Sequence, residues 1–290
     1  MSRGVVIFGV NNARIDYVQL AIMCASFIRK NMPGTNVCLI SDKGSVDPRH
    51  DVYTLFDSVV LIEEQEQKFV NNRRYRDTQY YGFEAQFKNE SRSTVYDLSP
   101  YDETLLIDCD FLVCNDVLSH VWGSEEEFQI NKYATDLFHN KLQGAEDRLN
   151  PYGIPMYWAT VIYFRKGEKA KRLFDLVEHV KDNWDFYQLT YDFPGALFRN
   201  DYAFSIAIHI LNGLFEESNY VVSLPDPTIL SALDTDQFFG ISSPAKLHFF
   251  HQDRQETWKY QGVTTNGLNV HCMNKLSLLN NMNEIMEALK

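Results

Sequence analysis

Two carboxylates, Asp108 and Asp110, close the apolar run Leu105, Leu106, Ile107 in the stretch "YDETLLIDCDFLVCND". A further apolar run, Phe111, Leu112, Val113, follows them. Residues two apart along a strand point to the same side, so the pair is expected to converge with Cys109 turned away. Like charges this close push their pKa values apart unless a cation neutralises them. A hard divalent ion does so, as Mg²⁺ and Mn²⁺ do when they join carboxylates to substrate phosphates. An Asp-rich turn after a strand is the plainer alternative. Far along the chain, "NVHCMNK" places His271 and Lys275 four residues apart. An imidazole suits a transition ion, and a lysine one helical turn later reaches the same face. Asp110, His271 and Lys275 would fit around one metal diphosphate, the ammonium adding a second positive charge. A structural histidine is the alternative for His271. The other histidine pair, "HFFH" (His248, His251), has no evident partner carboxylate and is assigned to packing.

The elements that must position these groups follow from periodicity. Residues 4–10, "GVVIFGV", are a buried strand. Ile15 to Lys30 has helical period and stops at Pro33-Gly34. "NVCLISD" is a second strand ending at Asp42, and residues 58–63 a third. Strand, helix, strand in about forty residues is a βαβ unit, which favours a parallel sheet; ligands bind beyond the carboxyl ends of such strands. Lys88 and Arg92 share a face if their stretch is helical. "YWATVIYFRKG" and "NYVVSLP" are expected strands. Glu168 to Trp184 is an amphipathic helix, and "FRNDYAFSIAIHIL" a helix capped by Asn200 with Asp201 in its first turn. A last helix runs from about Asn274 to Leu289 with Leu276, Leu279, Met286 and Leu289 inward. The connections 64–100 and 225–268 are irregular. No repeat or linker interrupts the chain, so one α/β domain is expected.

The 290 residues are 45% apolar, enough for a sizeable core. A net charge of −12 argues against a protein whose main task is holding bare nucleic acid. It leaves room for local basic patches at Arg73, Arg74 and Arg76 and from Arg165 to Arg172, each with a solvated helix face as the plain explanation. The opening "MSRGVVIFGV" lacks the longer apolar core of a signal peptide, and no stretch approaches the roughly 18 apolar residues of a membrane span. Five cysteines without a CxxC pair fit reduced thiols. A cytoplasmic protein is expected, and Asn89-Glu90-Ser91 is a chance sequon.

With these residues in hand, the chain resembles the GT-A-fold glycosyltransferases, and in pattern their family 8, the group of glycogenin and the bacterial galactosyltransferases. "SRSTVYDLSPYDETLLIDCDFLV" resembles their basic residue, Leu-x-x-Tyr step and Asp-x-Asp strand, the basic residue falling on Arg92. "VHCMNK" resembles their C-terminal His…Lys element, and "VVIFGVNN" the strand and loop that receive the base. The likeness is fuller over residues 4–120 and looser over 150–212. The glycine and Lys-Pro-Trp that follow the family's histidine have no counterpart here.

The resemblance implies a GT-A (Rossmann-like), mostly parallel central sheet flanked by helices in a single domain. Residues 1–120 would form the nucleotide-sugar half, and 121–290 the acceptor half with the C-terminal metal and phosphate element. It implies a UDP-sugar donor, Mn²⁺ or Mg²⁺, and transfer of a hexose or pentose with retention. Asp110 and His271 would hold the ion, Asp108 the ion or the ribose, and Lys275 the diphosphate. Asn11 and Asn12 would sit by the base or ribose and Asp42 by the base; a turn explains the asparagines equally well. Arg92 and Lys88 would approach the ribose, the diphosphate or Asp108. Asp201 would reach sugar or acceptor, unless it only favours the helix dipole. Tyr157 and Trp158 would wall the sugar or simply pack. The acceptor is open: a saccharide, lipid, protein or modified DNA base. A DNA acceptor needs a basic groove, which Arg73, Arg74, Arg76, Lys88 and Arg92 could line, whereas the acidic chain as a whole suits a small or saccharide acceptor. A nucleotidyltransferase would carry a Gly- and Arg-rich loop where this chain has "GVNNARID". A non-catalytic nucleotide-binding protein on the same scaffold is the other rival. Oligomeric state is not legible.

Overall fold

The structure, a computed structural model, describes residues 1–63, 71–142, 147–150, 153–215 and 219–290. The chain opens with β1 (Arg3–Phe8), α1 (Tyr17–Asn31), β2 (Asn36–Asp42), α2 (Val52–Leu55) and β3 (Ser58–Ile62). A hairpin of β4 (Asn72–Arg76) and β5 (Gly82–Gln86) follows, then α3 (Val95–Leu98), β6 (Glu103–Ile107), β7 (Phe111–Leu112), β8 (Phe128–Asn131) and β9 (Tyr133–Asp136). Next come β10 (Trp158–Arg165), α4 (Glu168–Asp182), α5 (Trp184–Thr190) and α6 (Asn200–Leu211). The chain closes with β11 (Thr228–Ala232), β12 (Gln237–Ser243), β13 (Lys246–Gln252), β14 (Tyr260–Asn266), β15 (Val270–Cys272), α7 (Lys275–Asn280) and α8 (Met282–Leu289).

The fold is α/β, with a six-stranded central sheet ordered β3-β2-β1-β6-β10-β8. Strands β3, β2, β1 and β6 run parallel, and β10 and β8 antiparallel to their neighbours. Val5, Val6 and Ile7 of β1 are all buried, which is why this strand has no polar alternation. Helix α1 packs on β1 and β2 and against α8, and α6 packs on β10. Asp16 starts α1 by accepting the Gln19 amide at 2.9 Å, and Arg29 and Lys30 sit in its last turn. A second sheet, ordered β7-β15-β11-β9, joins the centre of the chain to its C-terminal part. All five cysteines are buried thiols, and both amide atoms of Asn89 hold the Val10 backbone. Among the described residues no helix is long and apolar enough to cross a membrane.

Several expectations need correction. Segment 225–268 is not irregular: it holds β11 and the antiparallel sheet β12-β13-β14, whose period-two pattern is broken by register shifts at Phe238/Gly240 and Ile241/Ser243. The polar run near residue 72 is a hairpin, not a helix face. "NYVVSLP" contributes one bridge, Val222 to Gln129, instead of a strand. The C-terminal helix breaks at Asn281, so Leu278, Met282, Ile285 and Leu289 are the buried face, while Leu276, Leu279 and Met286 are half-buried. The cap of α6 is Arg199; Asn200 is the first helical residue and donates to the Asn89 carbonyl at 3.1 Å.

His251 does have carboxylate partners. Its Nδ1 lies 2.9 Å from Asp236 and its Nε2 3.9 Å from Asp136, both carboxylates fully buried. Asp236 also accepts the amides of Leu233 and Gln252 at 2.7 and 2.9 Å, pinning the start of β12 to the end of β13. Asp236→Ala leaves these buried donors unmatched and is expected to cost about 3 kcal/mol or more. Urea unfolding measures it; a cost below about 1 kcal/mol contradicts the pinning role.

Candidate functional site

Strand β6 ends at Ile107, and the carboxylates lie just past it in a tight turn: the Phe111 amide donates to the Asp108 carbonyl at 3.0 Å. Their convergence therefore comes from the turn and not from strand alternation. Cys109, between them, also contributes to the wall of the cleft. The chain leaves the turn as β7, which pairs antiparallel with β15 so that Phe111 stands opposite His271. The Cys272 amide donates to the Asp110 carbonyl at 2.9 Å. This pairing carries His271 across the sequence to Asp110, with Nε2 3.6 Å from the carboxylate. Helix α7 begins immediately after, capped by the Asn274 side chain on the Ser277 amide at 3.0 Å. Its first residue, Lys275, reaches Asp110 with Nζ at 2.6 Å.

One ligand atom each from Asp108, Asp110 and His271 lies within 4.8 Å of the others. The Nδ1 of His271 is buried without a hydrogen-bond partner among the described residues. Two carboxylates and an imidazole with one ring nitrogen unpartnered are a donor set that fits Mn²⁺ or Mg²⁺. Arg92 pairs with Asp108 and donates to the Ala159 carbonyl at 2.6 Å. The Ala159 amide in turn donates to Asp201 at 2.9 Å. Both groups of Ala159 are available because β10 slips register against β8 between Trp158 and Ile162. Arg199 closes the array on Asp201 at 2.7 Å.

The two aspartates differ sharply. Burial pushes Asp108 up to about 6, more than Arg92 pulls it down, and the Asp110 charge adds to the rise. Burial acts the same way on Asp110, but Lys275 and His271 overturn it and hold this carboxyl far below the usual range. Burial draws the Lys275 ammonium down, and Asp110 more than reverses it. A metal needs both carboxylates ionised. Below pH about 6 Asp108 takes up a proton that an ion must displace, so Mn²⁺ affinity is expected to fall about ten-fold per pH unit there. Mn²⁺ titrations from pH about 5 to about 8 check this; affinity flat across the window contradicts it.

The site faces a cleft of about 270 Å³. Of the residues expected from sequence, Arg92, Asp108, Asp110, Asp201, His271 and Lys275 line it, as does Trp158, edge-on to His271 at 6.4 Å. Asn11, Asn12, Asp42, Lys88 and Tyr157 are not in its wall. Asn11 accepts the Val18 amide and donates to Ser45, while Asn12 accepts the Arg14 and Ile15 amides and donates to Gln86. Asp42 accepts the Ser45 amide at 2.6 Å. Residues 87–91 form no helix, so Lys88 and Arg92 do not share a helical face. The cleft also holds residues to which sequence reasoning gave no site role. Arg199 and Asn200 precede an ordinary amphipathic pattern and carry no signal. Arg73, by contrast, was expected in a basic run that could line a groove: its guanidinium lies 3.6 Å over Phe87, donates to the Phe198 carbonyl at 2.9 Å, and is lowered to about 10 by burial and by Arg199. The second basic run behaves as a solvated face, with Arg172 and Lys171 pairing along α4.

No protein-family model matches the chain, and no curated protein does. Solved structures with a similar chain path include the galactosyltransferase LgtC in complex with donor and acceptor sugar analogs, at 15% identity over 76% of this chain and 72% of that one, TM-score 0.46. The glycosyltransferase GlyE of Streptococcus pneumoniae TIGR4 is similar at 15% identity over 78% of this chain and 46% of its own, TM-score 0.41. Mouse xyloside xylosyltransferase 1, apo form, is similar at 13% identity over 74% and 84%, TM-score 0.41. At such values the chemistry of the cleft rests on its own residues.

Proposed function

We propose that this chain is a GT-A-type, single-domain, metal-dependent glycosyltransferase that takes a sugar from a nucleoside-diphosphate sugar, a UDP-sugar in particular, and passes it with retention to an acceptor hydroxyl. One observation carries the reading: two aspartates and a distant histidine converge within ligand reach, with a lysine beside them, in a cleft past the carboxyl end of a parallel strand. Asp108, Asp110 and His271 would hold Mn²⁺ or Mg²⁺, which supplies Lewis acidity toward a departing diphosphate.

The chain's own groups do the rest. In the free protein Lys275 neutralises Asp110 and Arg92 neutralises Asp108. With the carboxylates engaged elsewhere, both cations are released toward the diphosphate and stabilise the charge that builds on its leaving oxygen. Asp201 is held below the usual carboxylate range, since Arg199 and the Ala159 amide outweigh its burial. With both oxygens engaged it is a poor base, so it positions sugar or acceptor. In the transfer the acceptor oxygen bonds to the anomeric carbon. The bond from that carbon to the diphosphate oxygen breaks with its electron pair on oxygen, and the hydroxyl proton ends on the diphosphate. Trp158 gives the cleft an apolar wall against water.

The test is thermal unfolding with UDP-, GDP-, ADP- and CMP-sugars, each with and without Mn²⁺. A UDP species with Mn²⁺ is expected to give the largest shift, about 2–3 kcal/mol at a hundred-fold excess over Kd. Equal shifts with and without the ion refute the metal-dependent reading.

A further inference from the structure

Resting on that reading, we infer that the acceptor carries phosphate and that Arg74 and Arg76 of the β4–β5 hairpin bind it. Among the described residues the cleft is lined by six bases, Arg73, Arg74, Arg76, Arg92, Arg199 and Lys275. They face four carboxylates, Asp108, Asp110, Asp201 and Asp234. The excess is positive in a chain whose net charge is −12. A divalent ion and the doubly negative diphosphate of the donor cancel each other, so filling the donor site leaves that excess in place. An excess of one sign at the mouth of a cleft draws an anionic ligand in preference to a neutral one.

Geometry says where the excess sits. Arg92, Arg199 and Lys275 are paired with carboxylates deep in the cleft, and Arg73 is tied to Phe198 and Phe87. Arg74 and Arg76 stand two apart on β4, both on its exposed side. Arg74 has no ion-pair partner among the described residues. Arg76 meets Asp234 only at 3.7 Å with both groups about half exposed, a pair worth little and readily exchanged for phosphate. Two guanidinium forks on one strand edge suit phosphate oxygens. The hairpin is held in place at its far end, where Asn274 donates to the Asp77 carbonyl at 2.8 Å, so the pair is presented by a fixed element.

The experiment titrates three probes into protein saturated with Mn²⁺ and UDP: glucose, glucose 6-phosphate and a short single-stranded oligonucleotide. At least one phosphate-bearing probe is expected to bind beside UDP, about ten-fold more weakly in Arg74→Ala, while glucose binds far less. Binding of the sugar phosphate alone assigns a small acceptor. Binding of the oligonucleotide, with a salt slope reduced by about one in Arg74→Ala, assigns a nucleic-acid strand. Arg74 is exposed, so its removal does not unfold the protein; the Mn²⁺–UDP shift, unchanged in the variant, confirms an intact donor site. The inference is overturned if neither phosphate probe binds, if UDP displaces them, if glucose binds as well as its phosphate, or if Arg74→Ala binds them as wild type does. Absence of any Mn²⁺–UDP shift in wild type is a separate result and removes the donor reading with it.

Discussion

Asp110→Asn is expected to lose the joint stabilisation by Mn²⁺ and UDP and to slow release of sugar from the donor to water by about a thousand-fold. The substitution keeps size and shape but removes the charge on which Lys275 and His271 converge. Lys275 stands 2.6 Å and His271 3.6 Å from this carboxylate, and the backbone of Asp110 receives β15. The amide is a much poorer ligand for a hard ion. Without the ion the diphosphate must depart with only Arg92 and Lys275 to stabilise it, a loss of about 4 kcal/mol for a thousand-fold in rate. Differential scanning fluorimetry and a donor-hydrolysis assay read the two effects separately. Wild-type shifts in this variant would show that Asp110 does not hold a metal.

Lys275→Met has a comparably large effect, divided between stability and catalysis. In the metal-free protein the ammonium is the main counter-charge to a buried carboxylate. Removing one partner of such a pair typically costs about 3–5 kcal/mol. The sign with pH follows from Asp110 being held below its ordinary value. Its contribution is present above about pH 4, the unfolded value, and is lost as the pH falls toward the folded one. The wild-type advantage over Lys275→Met should therefore shrink on acidification. Mn²⁺ should recover part of the lost stability, because an ion replaces the missing ammonium beside Asp110. Sugar release should nevertheless stay about a hundred-fold down, since the diphosphate has lost a cation. Chemical unfolding with and without Mn²⁺, paired with the hydrolysis assay, decides it. A variant as stable as wild type without metal, and no more responsive to Mn²⁺, would remove the role given to Lys275.

The βαβ start, the strand that ends at the aspartates and α6 were legible because each follows a local rule. An unbroken β-branched run is buried on both faces, and helical period shows within a few turns; the caps, Asp16 and Arg199, were not legible. The membership of the site was legible in part: Asp108, Asp110, His271 and Lys275, types suited to a metal and a diphosphate, do stand together. Arg92 and Asp201 both line the cleft, joined through the backbone of Ala159.

What the sequence could not supply was partnership over distance. Nothing local to Phe111 or to His271 says that β7 and β15 pair, for a two-residue and a three-residue strand have too little pattern to choose a register. The choice is made by the packing of the whole second sheet. Nor could the sequence say which polar groups are already used. Asn11, Asn12 and Asp42 are the types expected beside a base, yet Asn12 and Asp42 accept amides two or three residues on, and Asn11 is held between Val18 and Ser45. The arginines of β4 went the other way. From sequence they were either a solvated run or the lining of a basic groove, and the hairpin, anchored through Asp77 to Asn274, puts them in the wall of the cleft. Residue types fix which chemistry is possible. Long-range strand pairing, which no short window encodes, decides which of those residues meet.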